Sequence, residues 1–388
     1  MSKQNSISNE LVKDMVTWRQ DFHRHPETAF EETRTAASVA ALLESWGLSV
    51  TTGVGGTGVV ATLSKGDGSR RIGLRADMDA LNIDEINNFE YSSKLPGKMH
   101  ACGHDGHTSM LLGAASHLAQ HGDFNGTVVF IFQPAEEHGE GALAMLEDDL
   151  LERFPLDEVY ALHNMPGMPA GSFGGNTGSI MAAEDNFKIT LNGVGSHAAM
   201  PHRGRDPLLA GAELVMAMQS LVARTVDPLH NAVVSFTEFN TNGTVNVIPG
   251  EVILQGDTRS LLPQVQEHIE TTMRRIAQGV AATHGIECTF EYRKNFIPTI
   301  NTKNEALGAL AVAGTVAGPA NVETERAPLM GSEDFGYLLQ KVPGAYLFIG
   351  NGCEGAHAMS LHNPGYDFND SILETGARYW VELTYSRL

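Results

Sequence analysis

Residues 99–110, MHACGHDGHTSM, place one cysteine and three histidines between glycines. Cys102 and His104 stand just ahead of a predicted helix (about 105 to 120), where backbone N–H groups and the helix dipole favour a thiolate. Other residues of ligand type close short apolar runs. Asp77 and Asp79 follow RIGLRA (71–76), and Glu136 and Glu137 follow TVVFIF (127–132) within QPAEE. His163 comes directly after EVYAL (158–162), and His362 follows AYLFIG (345–350). Thiolate, imidazole and carboxylate together suit a divalent transition metal. Two adjacent glutamates point differently, so one can ligate while the other handles protons. Metal-polarised water with a carboxylate base is what metal-assisted hydrolysis requires.

Each feature alone has a plainer reading. A lone CxH is a coincidence of spacing, a lone EE a solvated pair, and Asp77 and Asp79 turn formers or helix caps. His107 and His138 read as outer-layer or surface residues rather than ligands. Cys288, in an amphipathic run, reads as a small core hydrophobe. Convergence favours chemistry, because the elements that carry these residues bring them to one place.

Helical periodicity covers 9–24 and 32–46, and β-rich runs follow at 58–63 and 71–76. A helix at about 105–120 precedes strands at 127–132 and 158–162. Strands separated by helices imply a mainly parallel sheet with helices on both faces. In such sheets the site lies beyond the carboxyl ends of the strands. From Asp185 the pattern changes to strand 186–193, helix 206–224, strands 232–239 and 251–259, helix 262–284 and strand 286–293. That βαββαβ order predicts an inserted ferredoxin-like α+β domain. After about residue 300 the α/β rhythm returns, with a strand at 345–350 and a helix at 369–386. The expected organisation is an α/β domain in two parts, 1–184 and 297–388, interrupted by an insert at 185–296.

The 388 residues suit two domains better than one core. A formal charge of −20 without a basic stripe argues against nucleic acid. The start MSKQNSISNE is polar and no apolar run is long enough to cross a bilayer, so an unprocessed protein without membrane attachment is expected. Three scattered cysteines fit a reducing compartment, the cytoplasm. GVGGTG (53–58) matches a dinucleotide fingerprint in form, but a strand follows it where the motif needs a helix, so it reads as a glycine-rich turn.

RADMDAL (75–81), MHACGHDGHT (99–108), QPAEE (133–137), LHN (162–164), GSHAAMPH (195–202), NVIPG (246–250), DTR (257–259), GSEDF (331–335) and LHNP (361–364) run in an order that resembles the M20 metallopeptidases. Within them the chain is most similar to the amidohydrolases of hippurate, N-acyl amino acids and plant auxin conjugates. Asn82 stands where that subfamily carries proline. The resemblance implies two divalent ions, zinc or manganese, on Cys102, His104, Glu137, His163 and His362. It implies Glu136 as general base and Asp79 as a carboxylate that orients the site, with the glycines of 99–110 letting the backbone approach the ions. His197 is similar to the residue that stabilises the oxyanion, and Asn246 and Arg259 to the groups that hold the substrate carboxylate. The implied activity is cleavage of a hippurate-like N-acyl amino acid. The alternatives are an N-acetyl-amino-acid deacetylase (acetylated diaminopimelate, for example), a dipeptidase, or a binding protein that has lost turnover. The resemblance also implies a homodimer through the insert; because His197 lies in the insert and every implied ligand outside it, His197 of one subunit is expected to serve the other, the alternative being that it serves its own.

Overall fold

The computed structural model describes residues 6–388, and the polar start MSKQN lies outside them. Two compact units emerge. Of the described residues, the first comprises 6–180, 300–327 and 334–388, and the second 181–299 with 328–333. No periodicity in the sequence marks the short 328–333 segment.

The first unit is built on an eight-stranded sheet in the order Ser49–Val54, Gly58–Lys65, Gly126–Gln133, Arg71–Asp77, Glu158–Pro166, Gly344–Gly352, Phe173–Gly174, Val322–Glu323. Its centre is parallel: Arg71–Asp77 pairs in parallel with both neighbours, and Glu158–Pro166 with Gly344–Gly352. Every residue of Gly126–Gln133 is buried. That is why its sequence is a continuous apolar run rather than an alternating one. Helices Asn9–Arg24, Thr33–Ser45, His104–His121, Lys303–Ala317 and Leu373–Arg387 flank this sheet and close its core.

Sequence patterning finds most of these elements and misses four, of which Phe173–Gly174 and Val322–Glu323 are two-residue strands too short to carry a pattern. Ser49–Val54 has the exposed, partly buried pattern of an edge strand, so its alternation is weak. Lys303–Ala317 is so rich in alanine and other small apolar residues that its helical stripe is blurred. GVGGTG is the antiparallel hairpin turn between Ser49–Val54 and Gly58–Lys65. There Gly55 has φ +65°, and a Cβ would lie 2.6 Å from the Met145 nitrogen. The residue is fixed by backbone conformation and packing, not by a phosphate.

The second unit is a four-stranded antiparallel sheet in the order Ala232–Thr241, Glu251–Ser260, Ala183–Asn192, Glu287–Phe296. Burial alternates strictly along Glu251–Ser260, so one face is covered and the other is left more open. Helices Pro207–Thr225 and Pro263–His284 pack on the covered face through Leu214, Met218, Ile269 and Met273 against Phe187, Ile189 and Leu254. Cys288 packs at the margin of this core.

Candidate metal centre

In the first unit, four separate segments bring their polar residues together where the parallel strands end. Cys102 precedes helix His104–His121, and Gly103 makes the turn with φ +98°. The Cys102 Sγ lies 3.4 Å from His163 Nε2. His163 stands within Glu158–Pro166, which runs past the strand end expected at residue 162. The turn after Gly126–Gln133 delivers Glu136 and Glu137, and a loop after Gly344–Gly352 delivers His362. His362 Nε2 is 3.3 Å from Glu137 Oε2. His104 Nε2 is 3.9 Å from carboxylate oxygens of both Glu136 and Glu137.

These contacts form overlapping donor groups. Cys102, His104 and His163 make one, Cys102, Glu137 and His362 a second, and His104, Glu136 and Glu137 a third. Two buried atoms, His104 Nε2 and Glu137 Oε1, have no hydrogen-bond partner and face each other across 3.9 Å. Burying such atoms unpaired is costly. A divalent cation between them would satisfy both, and the soft and hard donors around them fit zinc or manganese. The cluster fits the metals that the sequence motifs imply.

Charge points the same way. Burial opposes a proton on His104, yet Asp77, Asp79 and Glu137 outweigh it and push the pKa up to about 10. The carboxylates therefore demand a positive charge at this spot, which a cation supplies while leaving the histidine neutral to ligate. His163 behaves oppositely. Burial, with His107 and His104 beside it, holds it well below the usual range. Its Nδ1 lies 2.6 Å from the Asn164 carbonyl oxygen, so Nδ1 carries the proton and Nε2 is the lone-pair side.

A surrounding layer of bonds fixes these candidate ligands. Asp79 reaches two of them: its carbonyl and Oδ1 lie 2.9 and 3.2 Å from His104 Nδ1, and its Oδ2 accepts the Glu137 N–H at 3.0 Å. Buried Glu32 accepts the Ala135 N–H at 2.9 Å, holding that residue at φ +50° just before the glutamate pair. His362 also has a left-handed backbone, φ +64°, and its N–H is tied to the Ala101 carbonyl at 2.8 Å. Strained non-glycine residues persist only where their surroundings over-determine them. Replacing Asp79 by alanine should cut metal affinity about 10–100-fold, the usual worth of groups behind metal ligands. Titration of metal-stripped protein with zinc checks this, and an unchanged affinity would remove Asp79 from that role.

His107 and His138 take the outer-layer and surface places expected of them, while several other residues escape sequence reasoning. His107 is fully inside, with Nδ1 2.7 Å from Asp77 Oδ1 and Nε2 2.7 Å from Asn164 Oδ1. His138 is exposed. Asp77 caps nothing. Burial works against its carboxylate, but His104, Arg75 and His107 hold it well below the usual range. Arg75 binds Asp77 at 2.6 Å and Asp334 at 3.1 Å, and Asp334 also accepts the Ala142 N–H at 2.8 Å. Asp105, next to His104, is bound by His23 at 2.8 Å with Arg19 at 3.8 Å. An arginine inside an apolar strand, RIGLRA, is the one signal that could have revealed this buried network. The glycines of 99–110 serve protein packing rather than ion approach. A Cβ on Gly103 would lie 2.2 Å from Asn164 Oδ1, and one on Gly106 2.2 Å from the Phe368 ring.

The second unit carries His197, Asn246 and Arg259. His197 and Val247 pair in a two-residue ladder, and the Asn246 carbonyl accepts the Ala198 N–H at 3.0 Å, so His197 and Asn246 are neighbours. His197 is exposed, and its Nδ1 accepts the Ala199 N–H at 3.0 Å. In the neutral ring the proton is then on Nε2, which is left as a donor. Arg259 sits elsewhere, among acids: its Nη1 is 2.7 Å from Glu184 and its Nε 2.9 Å from Asp257, with Ser332 Oγ at 2.9 Å.

Comparison with known proteins agrees with this chemistry. A model of peptidase family M20/M25/M40 matches residues 73–386. Hippurate hydrolase of Campylobacter jejuni is 40% identical over 381 residues, covering 98% of each chain. An N-acetylcysteine deacetylase of Bacillus subtilis is 34% identical over 372 residues, covering 95% of each. Among solved structures, a dinuclear metal binding peptidase of the M20 family from Bacillus subtilis has a TM-score of 0.85 at 29% identity, covering 97% of this chain and 98% of that one.

Proposed function

Because the chain belongs to peptidase family M20/M25/M40, we propose that it is a metal-dependent amidohydrolase that cleaves hippurate-like N-acyl amino acids into a carboxylic acid and a free amino acid. The observation that carries the reading is the set of donor groups sharing Cys102, with His104 Nε2 and Glu137 Oε1 unsatisfied beside Glu136. Cys102, His104, Glu137, His163 and His362 would hold two divalent ions, whose chemistry is to polarise the amide carbonyl and acidify water. The thiolate favours zinc and the carboxylate admits manganese.

Glu136 takes the proton of the attacking water and delivers it to the leaving amine nitrogen. His197, donating through Nε2, stabilises the oxyanion of the tetrahedral intermediate. Asn246 and Arg259 hold the substrate carboxylate, with Glu184 and Asp257 aiming the guanidinium. The similarity to an N-acetylcysteine deacetylase supports a second reading, an N-acetyl substrate.

A panel of benzoyl, indoleacetyl and acetyl amino acids, each with its C-terminal amide, tests this. Benzoyl amino acids should be turned over fastest and their amides poorly. Arg259→Ala should lose about 2–5 kcal/mol of transition-state binding on the acids and much less on the amides. Equal losses on both would disconnect Arg259 from the carboxylate.

The working molecule in this reading is a cytoplasmic homodimer joined through the insert. His197 belongs to the second unit and all the proposed ligands to the first. The insert also ends its sheet in two strands, Ala232–Thr241 and Glu287–Phe296, whose outer edges a twin could cover. If His197 serves the partner's metals, inactive Glu136→Gln and inactive His197→Ala protein should regain activity when their subunits exchange. Demonstrated exchange without activity would contradict the shared site.

A further inference from the structure

The metal cluster opens to solvent on one side. Cys102, His104, His163 and Glu136 are buried, whereas the His362 side chain is 52% exposed, so an incoming molecule meets the cluster at His362. One large apolar side chain stands beside that opening. Ile86 is 73% exposed, more than any other large hydrophobic residue described in the first unit. Its N–H donates to the Pro364 carbonyl at 3.1 Å, and Asn87 Nδ2 donates to the Tyr366 carbonyl at 3.0 Å, so residues 86 and 87 are strapped to the segment that follows His362. Glu85 is pinned too: His23 Nε2 lies 3.2 Å from its Oε1, and its Oε2 accepts the Ser93 N–H at 2.6 Å. Ile86 lies over Gly365, where an added Cβ would be 3.6 Å from its Cδ1. A scattered surface isoleucine needs no explanation. One held on both flanks beside an exposed candidate ligand is preorganised to touch what binds there.

We propose that Ile86 is a specificity-determining residue: its side chain meets the acyl group of the substrate and favours bulky apolar acyl groups, aromatic or long aliphatic, over acetyl. This role rests on the amidohydrolase activity proposed for the metal cluster. In that activity Asn246 and Arg259 take the carboxylate end of the substrate, so the acyl end needs apolar surface of its own. Ile86 supplies it beside His362. Met359, 44% exposed and three residues ahead of His362, adds a second apolar side chain to the same loop. Contact with an aromatic or long acyl group removes Ile86 surface from water, and an acetyl group is too short to make that contact.

Zinc-loaded wild type, Ile86→Val, Ile86→Ala and Leu307→Ala are assayed on the N-acetyl, N-hexanoyl and N-benzoyl forms of one amino acid. Leu307 is the control, a half-exposed leucine on helix Lys303–Ala317, which carries no candidate ligand. Ile86→Ala should lower the benzoyl-to-acetyl and hexanoyl-to-acetyl ratios of kcat/KM about tenfold, the low end for lost apolar contact because this rim is open. Ile86→Val should fall between, and Leu307→Ala should match wild type. Calorimetric affinity for benzoate, the product acid, should weaken in Ile86→Ala as well, a readout that needs no turnover. A side chain so exposed contributes little to folding, so all four proteins should hold the same zinc. Equal losses on all three substrates would overturn the proposal, because Ile86 would then only support the His362 loop. Ratios and benzoate affinity that stay at their wild-type values would overturn it too. Wild type that cleaves none of the three would instead sink the hydrolase reading, and this role with it.

Discussion

Glu136→Gln is expected to keep its fold and its metals and to lose about 10²–10⁴-fold in kcat, the contribution of a positioned general base. Glu136 is buried with a carboxylate oxygen 3.9 Å from His104 Nε2, close to the ligands yet not needed to complete either group that shares Cys102. Glutamine nearly matches it in shape and cannot take a proton from water. Glu137→Gln differs, because Glu137 stands against both His104 and His362 and should lose metal affinity along with turnover. The check is kcat beside metal content for both variants. If Glu136→Gln kept more than about a tenth of wild-type kcat, the base would have to be another group.

The sequence made most of the candidate ligands legible because they stand at the end of an apolar strand or the start of a helix, where the topology of a parallel sheet brings segments together, whereas His362 comes from a loop well past its strand. Cys102, His104, Glu136, Glu137 and His163 gather in this way, and His362 joins them from its loop. The layer behind them was not legible. Arg75, Asp334, Asn164 and Glu32 are buried polar residues whose partners lie far away in sequence, as in the 259-residue span between Arg75 and Asp334. Periodicity reports which face of an element is buried and says nothing of what a polar residue on that face will meet. The same limit explains Arg259. Its type suits a carboxylate, and only the fold reveals that Glu184 and Asp257 already flank it. The missed helix Lys303–Ala317 shows the converse: small apolar residues on every side leave no stripe to read.

Removal of metal should abolish activity outright, and it probes the cluster more directly than any substitution. Without cations, the buried Glu137 Oε1 and His104 Nε2 have no partner, and the surrounding carboxylates place a proton on His104 instead. A protonated imidazole cannot ligate, and water has nothing to acidify it. The decisive measurement strips the protein with a strong chelator, verifies its metal content, and assays benzoyl-amino-acid hydrolysis as zinc or manganese is returned. The account predicts no turnover in the stripped protein and recovery that rises over the first two equivalents of metal per chain. Undiminished turnover in protein verified to be free of metal would contradict it.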